Sequence, residues 1–78
     1  MEQDKKCTLL DIFGKNVRKY RVIKKFSIKK LSKKSKIRVE YISKIEQGKA
    51  KGVKTSHLFA LAEALQVEPY YLVKDENY

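Results

Sequence analysis

Seventy-eight residues, 42% hydrophobic and 36% charged, make one small globular domain near the lower limit of what folds unaided, too small to enclose a deep active-site cleft. Nineteen basic residues against nine acidic ones give a net charge of +10, and the charge is sorted along the chain: residues 1–23 carry +3, residues 24–54 carry +10 and residues 55–78 carry −3. A merely solvated surface has no reason to sort its charges, so the basic middle points to a polyanion-binding face, nucleic acid ahead of membrane.

Glycine occurs only at 14, 48 and 52 and proline only at 69, and almost nothing alternates, which predicts an all-α chain of short helices. The first helix is predicted over residues 9–24, where Leu10, Phe13, Val17 and Tyr20 recur at spacings of three and four and line one face. Ser27 is a good N-cap for a second helix over 28–35, with Ile28, Leu31 and Ser32 inward and Lys29, Lys30, Lys33 and Lys34 outward. Ser35-Lys36 breaks it. A third helix over 38–47 buries Ile42 and Ile45 beneath Ile37 and stops at Gly48, a natural left-handed cap. Residues 49–54, "KAKGVK", form a basic loop plugged by Val53. Thr55 or Ser56 caps a fourth helix that buries Leu58, Leu61, Ala62 and Leu65, and Pro69 starts a short fifth helix over 69–73. Residues 1–8 read as a flexible start and 74–78 as a frayed end.

The connection between the second and third helices is too short for an antiparallel hairpin and forces a steep crossing, the helix-turn-helix geometry. With Ile42 and Ile45 committed to the core, the free face of the third helix holds Arg38, Val39, Glu40, Ser43 and Lys44. Arginine suits guanine, a carboxylate accepts from cytosine, lysine is a less specific donor, and valine can meet a thymine methyl. Tyr70, Tyr71 and Leu72 put three large groups on one terminal turn, more than so small a core needs, which favours a dimer interface.

The stretch "FSIKKLSKKSKIRVEYISKIEQGK" resembles the helix-turn-helix of the lambda-repressor-like (Xre/Cro-type) transcription regulators; "FGKNVRKYR" is similar to the first helix of that family and "LFALAEALQVEPYYLV" to its last two. The "R-x-x-Y-I-S-x-I-E" run is most similar to controller proteins of restriction–modification systems, homodimeric autoregulators of the controller and endonuclease genes. Phage repressors, plasmid regulators and antitoxins share much of the pattern. The resemblance implies a compact five-helix bundle in which residues 9–73 form the DNA-binding domain. It implies base contacts at Arg38, Val39, Glu40, Ser43 and Lys44, and phosphate contacts at Ser27, Ile28, Lys36, Tyr41, Lys49, Lys51 and Lys54. It also implies a structural salt bridge between Arg21 and Glu46. The sequence departs from the pattern where Ile28 replaces a glutamine, where Lys36 replaces a turn glycine, where arginine stands at 38 rather than 39, and in a loop after Gly48 about one residue longer than usual.

Several residues have two readings at this level. Tyr41 faces either the core or the DNA, and Glu40 either reads a base or pairs with Lys36 or Lys44. His57 reads as surface polar. Acidic Glu63, Glu68, Asp75 and Glu76 suit a protein-docking side, as in an antitoxin that binds a toxin. An enzyme finds no support: there is no nucleophile–base pair, no metal-ligand spacing and no glycine-rich phosphate loop. One cysteine, Cys7, excludes an internal disulfide. With no signal-peptide core and no run of membrane length, the expected setting is the cytoplasm, without cofactor or metal. The expected partners are double-stranded DNA, a second copy of the chain and, beside a promoter, RNA polymerase.

Overall fold

Thr8 opens the first helix with a reciprocal cap. Its Oγ1 accepts from the Asp11 amide at 3.2 Å and its own amide donates to Asp11 Oδ2 at 3.2 Å. The computed structural model describes residues 8–75; the expectations for Cys7 and the rest of the flexible start, and for Glu76 and the last residues, lie outside the described residues. Within them the elements are α1 (Leu9–Ile23), α2 (Ile28–Ser35), α3 (Val39–Glu46), α4 (Thr55–Leu65) and α5 (Pro69–Val73), with no strand among the described residues. The chain is all-α, as its periodicity predicts. The ends differ by a residue: Lys24 is the C-cap of α1, and Arg38 and Gln47 cap α3.

The helices surround one core. α1 packs on α3 and α5, α2 on α3 and α4, and α4 on α5. Val17, Leu31, Ile42, Leu61, Leu65 and Leu72 are fully enclosed, with Phe13, Ile37, Ile45 and Ala50 nearly so. Each large side chain buried in this way contributes roughly 1.5–3 kcal/mol. Leu58, expected inside, is half-buried, because the start of α4 lies at the edge of an open apolar cleft that it shares with Leu9, Leu10, Phe13, Val53 and Val73.

Two expectations are corrected at the C-terminal end. α4 begins one residue early, with Lys54 at the N-cap rather than Thr55 or Ser56. The Lys54 amide donates to His57 Nδ1 at 3.2 Å, so the side chain three residues on supplies the cap that no hydroxyl supplies. Leu72 is no surface residue: it is fully buried, while Tyr70 and Tyr71 are 61% and 42% exposed. A buried Asn16 on α1 causes the inward turn. Its Nδ2 donates to the carbonyls of Leu72 at 3.1 Å and Lys74 at 2.8 Å, satisfying the open end of α5 and drawing Leu72 onto α1.

Candidate nucleic-acid interface

The candidate interface starts at the N-terminus of α2. Ser27 Oγ accepts from the Lys30 amide at 3.0 Å, and no acidic residue stands in the first turn to oppose an anion. Ile28 is half-buried and packed against the core, so it offers a phosphate its amide alone. Along α2, Lys30 and Lys34 place their ammonium groups 5.2 and 5.5 Å from the Phe26 ring. Lys36 then takes the left-handed conformation that the missing glycine would have occupied, at φ 63° and ψ 26°, a strain of about 1 kcal/mol. Hydrogen bonds hold the turn: the Lys36 amide donates to Ser32 O at 2.7 Å and Ile37 N donates to Ser35 Oγ at 3.3 Å.

From this turn α3 departs with one face inward and one outward. Ile42 and Ile45 are buried, while Arg38, Val39, Glu40 and Lys44 are exposed side by side. Arg38, at the N-cap, makes no side-chain capping bond. Ser43 is half-buried and its Oγ accepts from Gln47 Nε2 at 3.0 Å, so it is held by its own helix. Gly48, at φ 73°, ends the helix; the Lys49 amide turns back to Lys44 O at 2.9 Å. In the loop that follows, Ala50 is buried, Val53 half-buried, and Lys49, Lys51 and Lys54 exposed. Tyr41 is half-buried, and its Oη donates to Lys51 O at 3.3 Å.

Two devices set α3 on the body. Arg21 Nε lies 2.6 Å from Glu46 Oε2 and its Nη2 lies 3.1 Å from Oε1, a two-pronged pair whose Nη1 also donates to Phe26 O at 3.0 Å. Gly14 brings α1 into backbone contact with α3. A Cβ at this position would stand 2.0 Å from Ile45 O. The packing roles of Gly14 and Asn16 were not expected from the sequence, and His57, expected as surface polar, is a half-buried cap and ring partner. A solitary glycine inside an amphipathic helical repeat is a signal for close packing that could have found the first. For His57 there was none, because its ring partner is Tyr41, at 4.9 Å between centroids and 55° between planes, which belongs to another helix.

The surface built in this way is basic, with Lys36, Arg38, Tyr41 and His57 lining an open cleft beside α3. Among the described residues there is no cluster of three or more His, Cys, Asp or Glu that could hold a metal ion, and no helix is long and apolar enough to cross a membrane.

The family model for the helix-turn-helix domain matches residues 14–77. Among solved structures, the restriction-modification controller protein C.AhdI from Aeromonas hydrophila is 32% identical with a TM-score of 0.76, over 81% of this chain and 94% of that one. The hypothetical transcription factor NHTF from Neisseria is 25% identical with a TM-score of 0.85, over 99% of this chain and 87% of that one. The clp gene regulator ClgR from C. glutamicum, 24% identical with a TM-score of 0.79 over 86% of each chain, shares the fold. No curated protein matches the sequence.

Proposed function

Because the chain belongs to the helix-turn-helix family of DNA-binding transcription regulators, we propose that it is a restriction–modification controller, binding a palindromic operator as a homodimer at its own promoter and that of the endonuclease. The observation that carries this reading is the outward face of α3, where Arg38, Val39, Glu40 and Lys44 stand exposed between a basic turn and a basic loop. Base edges are read by that face, and phosphates are held by the amides at Ser27 and Ile28 and by Lys36, Lys49, Lys51 and Lys54; Tyr41, whose one O–H is given to Lys51 O, serves them through the loop. Ser43 Oγ, which accepts from Gln47 Nε2, keeps its own O–H to donate to a base. Tyr70 and Tyr71, large and exposed beside each other at 5.9 Å between ring centroids, supply the contact between protomers. Two recognition helices related by a two-fold axis then read half-sites about 34 Å apart. Occupancy of a promoter represses it, and a dimer bound beside one recruits RNA polymerase, all in the cytoplasm.

Selection from a pool of random duplexes at about 150 mM salt tests the reading. A palindrome with half-sites one turn apart is expected. A pool without sequence preference, retained only at low salt, would leave a basic field without a code and favour a protein-docking role. On the selected site, Arg38→Ala is expected to cost roughly 1–3 kcal/mol and to relax discrimination at one base pair. Equal weakening on every sequence would reassign Arg38 to phosphate. Lys51→Ala is expected to weaken all duplexes alike and to lower the slope of log K against log salt by about 1. An unchanged slope removes Lys51 from the phosphate contacts.

A further inference from the structure

We propose that His57 is a positioning residue of the DNA-binding surface, which with Tyr41 clasps the basic loop, residues 49–54, against the end of α3 so that its lysines meet the phosphate backbone; this rests on the functional reading above. The loop is poorly held by packing. Ala50 is its buried anchor and Val53 a half-buried one, and between them Lys51 and Gly52 stand exposed, Gly52 at φ 68° with open space where a side chain would be. Two hydrogen bonds to side chains of α3 and α4 fasten this outward arc, besides the backbone bonds that the Lys54 carbonyl accepts from the His57 and Leu58 amides as the cap of α4. Tyr41 Oη on α3 donates to Lys51 O at 3.3 Å, and Lys54 N donates to His57 Nδ1 on α4 at 3.2 Å. Neither is short, so neither is strong alone. They share a scaffold, because the Tyr41 and His57 rings pack on each other at 4.9 Å, so that the loop is tied at both ends of its arc to one aromatic pair bridging α3 and α4.

The choice of histidine follows from the surroundings. A cap at this position needs an acceptor aimed at the Lys54 amide, and glutamate or glutamine ordinarily provides it. A carboxylate here would set a negative charge against incoming phosphates, beside Lys36 and Arg38, which line the same cleft as Tyr41 and His57. An imidazole accepts through its Nδ1 lone pair and gives Tyr41 a flat face at the same time. Without the clasp Lys51 is no longer held toward the phosphate backbone, and because every duplex offers that contact alike, affinity and salt slope fall while base preference stays.

The test compares the full chain with His57→Ala and His57→Gln on the selected operator and on a scrambled duplex, across a salt series. Amide hydrogen exchange is followed on the same proteins. His57→Ala is expected to weaken both duplexes by the same factor, roughly 3- to 10-fold, and to lower the salt slope by about 1. The Lys54 amide should lose protection while the Ile42 and Ile45 amides keep theirs. His57→Gln, which restores an acceptor, should recover the slope and the Lys54 protection. A wild-type slope in His57→Ala overturns the inference, as does loss of protection at Ile42 and Ile45, which would make His57 a support of the fold. If the unmodified chain binds neither duplex, the functional reading falls and the inference with it; if the unmodified chain binds and His57→Ala matches it, the inference falls alone.

Discussion

Gly14→Ala is expected to destabilise the domain by about 3 kcal/mol, the opposite of what helix propensity predicts. In an exposed helix interior the same change stabilises by roughly 0.5–1 kcal/mol, because glycine loses more backbone freedom on folding. Here the added Cβ would stand 2.0 Å from Ile45 O and 3.1 Å from Ile45 C, and both atoms are backbone of α3. No rotamer change relieves that clash, so α1 and α3 must separate by about 1 Å. Overpacking of a core ordinarily costs 1–3 kcal/mol, and an obstacle that cannot swing aside belongs at the upper end of about that range. A chain of this size has a total stability of about 4–12 kcal/mol, so the loss is a large fraction of it. The melting temperature should fall by about 12–24 °C. The effect reaches DNA as well, since a recognition surface tolerates about 0.5 Å of misplacement before its contacts weaken. Thermal melts of the two proteins decide it: a Gly14→Ala melt equal to or above that of the unmodified chain would show that α1 and α3 are not locked by backbone contact.

Local chemistry made most of the helical frame legible. Ser27 before a run of lysines and leucine, Gly48 after Ile45 and Pro69 after Glu68 each act within a turn of the backbone, and the structure uses each as its chemistry directs. Most of the outward face of α3 was legible for the same reason: with Ile42 and Ile45 turned inward, Val39, Glu40 and Lys44 fall outside, whereas Tyr41 and Ser43 stand half-buried at its margins. What could not be read depends on contacts between distant parts of the chain. A five-residue helix has too few positions for a periodic stripe, so nothing local distinguishes Leu72 from Tyr70 and Tyr71; the decision is made by Asn16, fifty-six residues earlier. His57 looks like a surface residue by itself and becomes a cap and a ring partner only once α4 has been laid beside α3. Lys36 shows the converse. Its unfavourable conformation was predictable from the turn it occupies, and the fold imposes it because buried Ile37 and Leu31 on either side leave the chain no other course.

The pair formed by Arg21 and Glu46 carries the second large effect, and its parts can be ranked. The side chains are 14% and 5% exposed, so removing one partner leaves a charge that water reaches poorly. Glu46→Ala is expected to cost about 2–4 kcal/mol, most of it the penalty for a stranded guanidinium. Glu46→Gln keeps an oxygen for Arg21 and should cost less, about 1–2 kcal/mol. Arg21→Ala should cost the most, since it strands the Glu46 carboxylate and also removes the donor to Phe26 O at the entry to α2. Replacing both residues by apolar ones, Arg21→Met with Glu46→Leu, should recover much of the loss, because two charges then no longer need to be kept from water. What the double variant cannot recover is direction: the paired charges fix α3 to α1 through bonds of defined geometry, and an apolar contact does not. Urea melts of the four variants test the ranking, and operator binding by the double variant tests the role. A loss below about 0.5 kcal/mol for Glu46→Ala would place the pair among ordinary surface ion pairs. A double variant that is as stable as the unmodified chain and reads the operator as well would show that packing alone aims the recognition helix.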